Sequence, residues 1–169
     1  MSNGMAGVLA DRLEVATDAL IDEVTKLSEE LVVWKPADDV WSIKEILCHV
    51  AEFVPYWTSQ LLQIVGHPED PWGRDHTDRA RIDAVHSADS RSIDHALNAV
   101  RSGSRASATA IRNLLDSDFD ITAMSRNPRW ARKPASFVVN DLLIGHVEKH
   151  LGQIRRNVGQ FQERDIVAG

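Results

Sequence analysis

Apolar residues recur at helical spacing in four stretches of the chain. In the first, Leu9, Leu13, Ala16, Leu20, Val24, Leu27 and Leu31 follow one another at intervals of three or four. That stripe predicts an amphipathic helix over about residues 8–31. It ends near Trp34-Lys35-Pro36, because proline disfavours helix in the residue before it. The second begins at Ser42, where Ser42 and Glu45 form the S-x-x-E pattern in which each side chain satisfies the other's free backbone N–H. Ile43, Ile46, Leu47, Val50, Phe53, Val54, Trp57, Leu61 and Ile64 carry its apolar face over about residues 42–65. Pro55 falls inside this run and is expected to kink it, since it removes one i→i−4 bond.

The third stretch, about residues 85–115, is more weakly patterned, with Ile93, Leu97, Val100, Ser104, Ala108, Ile111 and Leu115 at helical spacing. Its middle, 102–110, is rich in small residues, which suits close approach to a neighbour. The fourth, about 137–161, takes Ser136 as N-cap. It aligns Leu142, Leu143, His146, Val147, His150, Leu151, Ile154, Val158 and Phe161 on one face. Residues 66–84 are polar and turn-rich, a loop long enough to be functional or to span a distance. It could run back along a helix about 36 Å long, and the direction of the third helix is left open. Residues 116–134 form a second loop. No internal repeat, heptad seam or low-complexity segment interrupts this plan, so the pattern predicts an all-α protein with a single domain over 1–169.

Composition changes the picture little. A chain of 169 residues, 43% hydrophobic and 26% charged, suits an ordinary soluble domain. The formal charge of −6 argues against a nucleic-acid partner, since phosphate binding needs a basic face. No apolar run reaches the roughly 18–20 residues that span a bilayer. The N-terminus has no basic region followed by an apolar run, so no secretory signal is expected and a cytoplasmic location is. The lone Cys48 excludes an intramolecular disulfide framework and a cysteine-based zinc site. Exposed apolar surface on the first or third helix could support a homodimer, although nothing specifies one.

Histidine carries the candidate chemistry. His146 and His150 are i and i+4, neighbours on an apolar helix face. Chance alone gives such a pair about 0.3 times in a chain with this histidine content, so the pair by itself is weak evidence. His49 strengthens it, because it sits among the core positions Ile46, Val50 and Phe53. Converging neutral imidazoles in a core are costly unless something satisfies their lone pairs, which a divalent metal does. The bland reading is three isolated core-edge histidines bonded to carbonyls or water. Parallel helices would put the rings at similar heights, whereas antiparallel helices need axial stagger. Glu52, at i+3 from His49, could orient its ring, while Glu45 is explained by the cap. A di-iron bundle needs Glu-x-x-His pairs that the fourth helix lacks. A zincin is excluded because Glu148 sits one residue too late in His146-Val147-Glu148-Lys149-His150. Three neutral nitrogens leave an open coordination position that suits zinc best, and nickel or ferrous iron would bind the same ligands.

Other residues read blandly. His67, His76, His86 and His95 are expected to be solvated, Cys48 a buried structural thiol, and Trp41 and Trp57 core. The loop segment from Arg126 to Lys133, with Arg129, Trp130 and Arg132, could clamp a substrate carboxylate, although a plain solvated loop is the commoner outcome.

Trp34-Lys35-Pro36, Trp41-Ser42-Ile43-Lys44-Glu45-Ile46-Leu47-Cys48-His49 and His146-Val147-Glu148-Lys149-His150-Leu151-Gly152-Gln153 together resemble the DinB/YfiT-like superfamily of four-helix-bundle metalloproteins. The resemblance covers helices one, two and four; the third helix and both loops carry no matching motif. It implies a metal held by His49, His146 and His150, and a four-helix bundle with a long crossover loop between helices 2 and 3. It also implies thiol chemistry, since characterised members include bacillithiol and mycothiol S-transferases and a maleylpyruvate isomerase.

Three functions follow as expectations. The leading one is a metal-dependent transferase acting on a small-molecule substrate with a low-molecular-weight thiol. The second is a metal-dependent hydrolase using bound hydroxide. The third is a non-catalytic, stress-related bundle whose metal ties helix two to helix four. No catalytic residue beyond the metal ligands is assigned.

Overall fold

In the computed structural model residues 4–74 and 78–168 are described, without the side chains of 165, 167 and 168. The first predicted helix is two. α1 spans Met5–Val24, and α2 spans Glu29–Val33 after a break at 25–28. Ser28 causes the break, because its side chain accepts from Leu31 N–H and starts a new helix. α3 spans Ile43–Gly66 and opens with the expected capping box between Ser42 and Glu45. It continues through Pro55.

The crossover is more ordered than its polarity suggests. Asp78 caps a short helix α4, Arg79–His86, and Ser92 caps α5, Ile93–Arg112. The third predicted helix therefore splits at about 87–92. Residues 116–134 hold two short antiparallel strands, β1 (Thr122–Met124) and β2 (Arg132–Pro134), a small exception to the all-α plan. The last helix starts earlier than Ser136. Pro134 precedes α6 (Ala135–Phe137), which continues through a π-helical segment, Val138–Ile144, into α7, Gly145–Ala168. Ser136 is thus inside the helix, where its carbonyl accepts from Asn140.

Side-chain pairings fix the helix directions. Arg12 meets Asn140 and Glu23 meets Arg155, so α1 and α7 run parallel. Arg112 meets Asp11 and Glu14 while Thr17 meets Ser104, so α1 and α5 run antiparallel. Gly103 lies against Pro55 and Thr58 donates to Ser107, so α3 and α5 run parallel. The order is up, down, down, up. Two consecutive parallel helices require a connection as long as the helices themselves, which residues 67–92 supply. The buried apolar side chains of all four long helices join in one connected core.

Trp72 anchors the crossover. It is fully buried, its indole N–H donates to the Ala123 carbonyl, and its backbone pairs with Met124 and Arg126 beside β1. Its ring stacks on Trp130 at 5.6 Å with planes 6° apart. Gly73 follows with φ +85°, a backbone that side chains with a Cβ rarely adopt, and its N–H donates to Gln60. Gln63 binds the Pro71 carbonyl, so α3 holds this segment at two points.

Candidate metal centre

His49 lies on α3, and His146 with His150 on the first two turns of α7. The helices are antiparallel, as Asn157 bonding to the Trp41 carbonyl and Phe53 stacking on His146 require. The axial stagger comes from the π-segment and α6, which place His146 well inside its continuous helix. The three rings meet. Their centroids are 5.1 Å apart for His49 and His150, 5.4 Å for His49 and His146, and 4.8 Å for His146 and His150. One ring nitrogen of each lies within 4.8 Å of those of the other two.

The π-segment sets this height. Gly145 N–H donates to the Asn140 carbonyl, an i→i−5 bond, and a Cβ on Gly145 would lie 2.9 Å from that oxygen. Only glycine tolerates the approach, so the widened turn is built in just before His146. Nothing in the apolar periodicity signals it.

His49 is 2% and His150 6% exposed, and His146 is partly buried. Gln153 Oε1 lies 3.1 Å from His150 Nδ1, which fixes the Nδ1–H tautomer and leaves Nε2 bare. His146 is hydrogen-bonded to the Leu142 backbone. His49 Nδ1 and His150 Nε2 are buried without any hydrogen-bond partner among the described residues. Burial lowers all three pKa values, to about 2 for His49, about 3 for His146 and about 4 for His150; neighbouring histidines add to the first two, and the Gln153 bond opposes the shift in the last. The rings are therefore neutral, the state in which imidazole binds metal. A tetrahedral ion with bonds of about 2.0–2.1 Å needs nitrogens about 3.3 Å apart. Neutral rings, orphaned nitrogens and three ring nitrogens within 4.8 Å of one another suit a divalent ion.

Surrounding groups hold the site. Trp41 packs edge-on to His49 at 5.1 Å and stacks on His150 at 6.3 Å. Asn157, 2% exposed, pins the Trp41 backbone. Trp41 is thus a wall of the histidine cluster, not only core; Trp57 is buried as expected. Glu52 does not orient His49. Its two oxygens accept from Arg74 at 2.6 Å each, and the Arg74 guanidinium lies 3.8 Å over the Tyr56 ring. Arg74 outcompetes a neutral ring because it offers a bidentate charged partner.

A cavity of about 490 Å³ opens onto His49 and His146. Trp57, Trp130 and Leu142 form its apolar side, and Arg74, Arg81 and Arg129 with Asn127 its polar side. Arg129 and Trp130 come from the loop that the sequence offered as a possible carboxylate clamp, with a solvated loop the commoner outcome; both line the cavity and Arg129 is exposed, whereas Arg74 and Arg81 were not anticipated. Asp78, a capping residue four after Arg74, was the available signal for α4. Arg126, Arg132 and Lys133 do not line the cavity: the first two bond to the carbonyls of Gly73 and Thr122, and Lys133 lies over the Phe137 ring.

Cys48 is fully buried and burial raises its pKa, so it is an inert thiol one position off the ligand face. His67, His86 and His95 are exposed as expected, and His76 lies outside the described residues. A second group of potential metal ligands, His67 with Glu69 and Asp70, is wholly exposed. No helix among the described residues is long and apolar enough to cross a membrane.

An antiparallel pair of helices joining three histidines inside a bundle with a long crossover defines a class, and the sequence places the chain in it. The chain belongs to the DinB superfamily, whose family model matches residues 12–154. The fold is similar to that of YfiT from Bacillus subtilis, with a TM-score of 0.78 and 12% identity over 96% of this chain and 90% of that one. That protein is described as a probable metal-dependent hydrolase with an unusual four-helix bundle topology. No curated protein matches the chain in sequence.

Proposed function

We propose that His49, His146 and His150 hold a divalent metal ion, with zinc the best fit, and that the protein transfers a group to a low-molecular-weight thiol in the cavity above them. The observation that carries the metal is the pair of buried ring nitrogens, His49 Nδ1 and His150 Nε2, left without partners in a neutral cluster. Leaving such groups unsatisfied costs about 1–3 kcal/mol each, which a bound cation would offset. When bound, the ion supplies Lewis acidity and stabilises a thiolate at neutral pH.

The chain's own residues do the rest. Gln153 and the Leu142 backbone set the rings of His150 and His146. Trp41 covers the cluster on one side, and Trp57 and Trp130 present apolar surface to an incoming electrophile. No carboxylate lines the cavity among the described residues, and Glu52 is engaged by Arg74. A hydrolase of the zincin kind draws its general base from such a carboxylate, whereas a thiolate is already the nucleophile. That difference favours transfer.

Hydrolysis is the second reading, supported by the description of YfiT and by a cavity open to water. The deciding experiment measures metal content of the untreated protein, then turnover of an electrophile and of an ester or amide, each with and without small thiols. One equivalent of metal and strictly thiol-dependent conjugation is the expected result. Thiol-independent turnover would move the assignment to hydrolysis, and the absence of metal from a His-intact protein would overturn the site.

A further inference from the structure

We infer that the cavity selects a small organic carboxylate, with Arg129 as the residue that recognises its charge. The inference rests on the cavity being the substrate site of the proposed function, and it starts from charge. His49, His146 and His150 are neutral, so they leave the charge of a divalent ion uncompensated. Arg74 is matched by Glu52 and by Asp78, at 2.6 and 3.0 Å. Arg129 has no side-chain hydrogen bond or ion pair among the described residues, yet it lines the same cavity as His49 and His146. The polar wall therefore ends in an uncompensated cation, and the ligand must bring the negative charge.

The loop holds that cation in place. Asn127 Oδ1 accepts from the Arg129 backbone N–H at 3.0 Å, and Trp130 N–H donates to the Asn127 carbonyl, closing a tight turn. Ser125 Oγ accepts from Asn127 N–H, and Trp130 is stacked on the buried Trp72. A turn anchored at both ends presents Arg129 with little freedom of its base, so less entropy is lost on binding. One planar guanidinium matches one planar carboxylate in a bidentate pair. A phosphate dianion would call for a second unpaired guanidinium; of the other two lining the cavity, Arg74 is taken by Glu52 and Asp78, and Arg81 lies 5.7 Å over the Trp41 ring. The apolar side made by Trp57, Trp130 and Leu142 fits the organic part of the same molecule.

The test uses the zinc-loaded full-length protein and three probes, phenylacetate, phenylacetamide and benzylphosphonate, with affinity read by ligand-observed NMR or calorimetry. Phenylacetate is expected to bind at least about tenfold more tightly than the neutral amide. Arg129→Gln should reduce that preference to less than about threefold, and Arg129→Lys should keep part of it. Zinc content, measured on every variant, should not change. An unchanged preference in Arg129→Gln would mean the ion alone attracts the anion and would overturn the inference, as would equal binding of acid and amide by the wild type. Tighter binding of the phosphonate would overturn the carboxylate assignment. A protein that takes up no zinc but keeps an Arg129-dependent preference would sink the metal reading and leave this one standing.

Discussion

Acidifying the metal-free protein should unfold it through the three clustered histidines. Their folded pKa values lie at about 2, 3 and 4, against 6.5 for the unperturbed side chain. The sign follows from where protons bind. Below about pH 6.5 the unfolded chain takes up three protons that the folded chain refuses, so stability is full above that pH and falls as pH drops. At pH 5 each ring costs RT ln(1 + 10^1.5), about 2 kcal/mol. That figure barely depends on the folded values, because all three lie below 5. Together the rings remove about 6 kcal/mol, comparable to the whole stability of a typical domain. The assay is urea denaturation of chelator-treated protein at pH 7.5 and pH 5. With a slope of about 2–3 kcal/mol/M the midpoint should fall by roughly 2–3 M. A variant carrying asparagine at 49, 146 and 150 should lose most of this dependence. A midpoint that holds steady between the two pH values, or a decline that survives in the triple variant, would refute the burial argument.

Two further outcomes follow from the same geometry. Gln153→Ala removes the hydrogen-bond partner of His150 Nδ1, so the ring can turn and change tautomer; zinc affinity measured against a chromophoric chelator should fall about 10–100-fold with the helix content unchanged. Gly145→Ala places a methyl 2.9 Å from the Asn140 carbonyl, which is backbone and cannot swing away. It should cost about 1–3 kcal/mol, several degrees of Tm, and weaken zinc binding as well, because His146 follows directly.

The parts of the fold that the sequence announced are those where one face of a helix is apolar and a capping residue marks its start. α3 satisfies both conditions and the last helix only the first, since Ser136 is not its cap; their three histidines could be joined in one site from their positions on apolar faces together with the family resemblance. α1 was read too long because the apolar stripe continues through Leu27 and Leu31 past the break, and only Ser28 signals a fresh start. The crossover was legible in length but not in content. Asp78 and Ser92 are ordinary caps, yet α4 has few apolar residues between them, so periodicity is silent there. Trp72 was the missed clue, since a tryptophan in a polar stretch has much apolar area to bury. The π-segment left no pattern at all, because Gly145 reveals its role only once the Asn140 carbonyl is in place.

The parallel course of α3 and α5 has a consequence for how the molecule can change. A tight hairpin between neighbouring helices would leave the histidines under open solvent, whereas the long return strap lays Arg74 and Arg81 along the cavity they open onto, with Trp72 stacked behind Trp130. On the proposed reading, the metal ligands belong to the pillars and the selectivity to the roof. If that reading holds, substitutions confined to the strap and the 125–131 turn alter what enters without disturbing the three histidines.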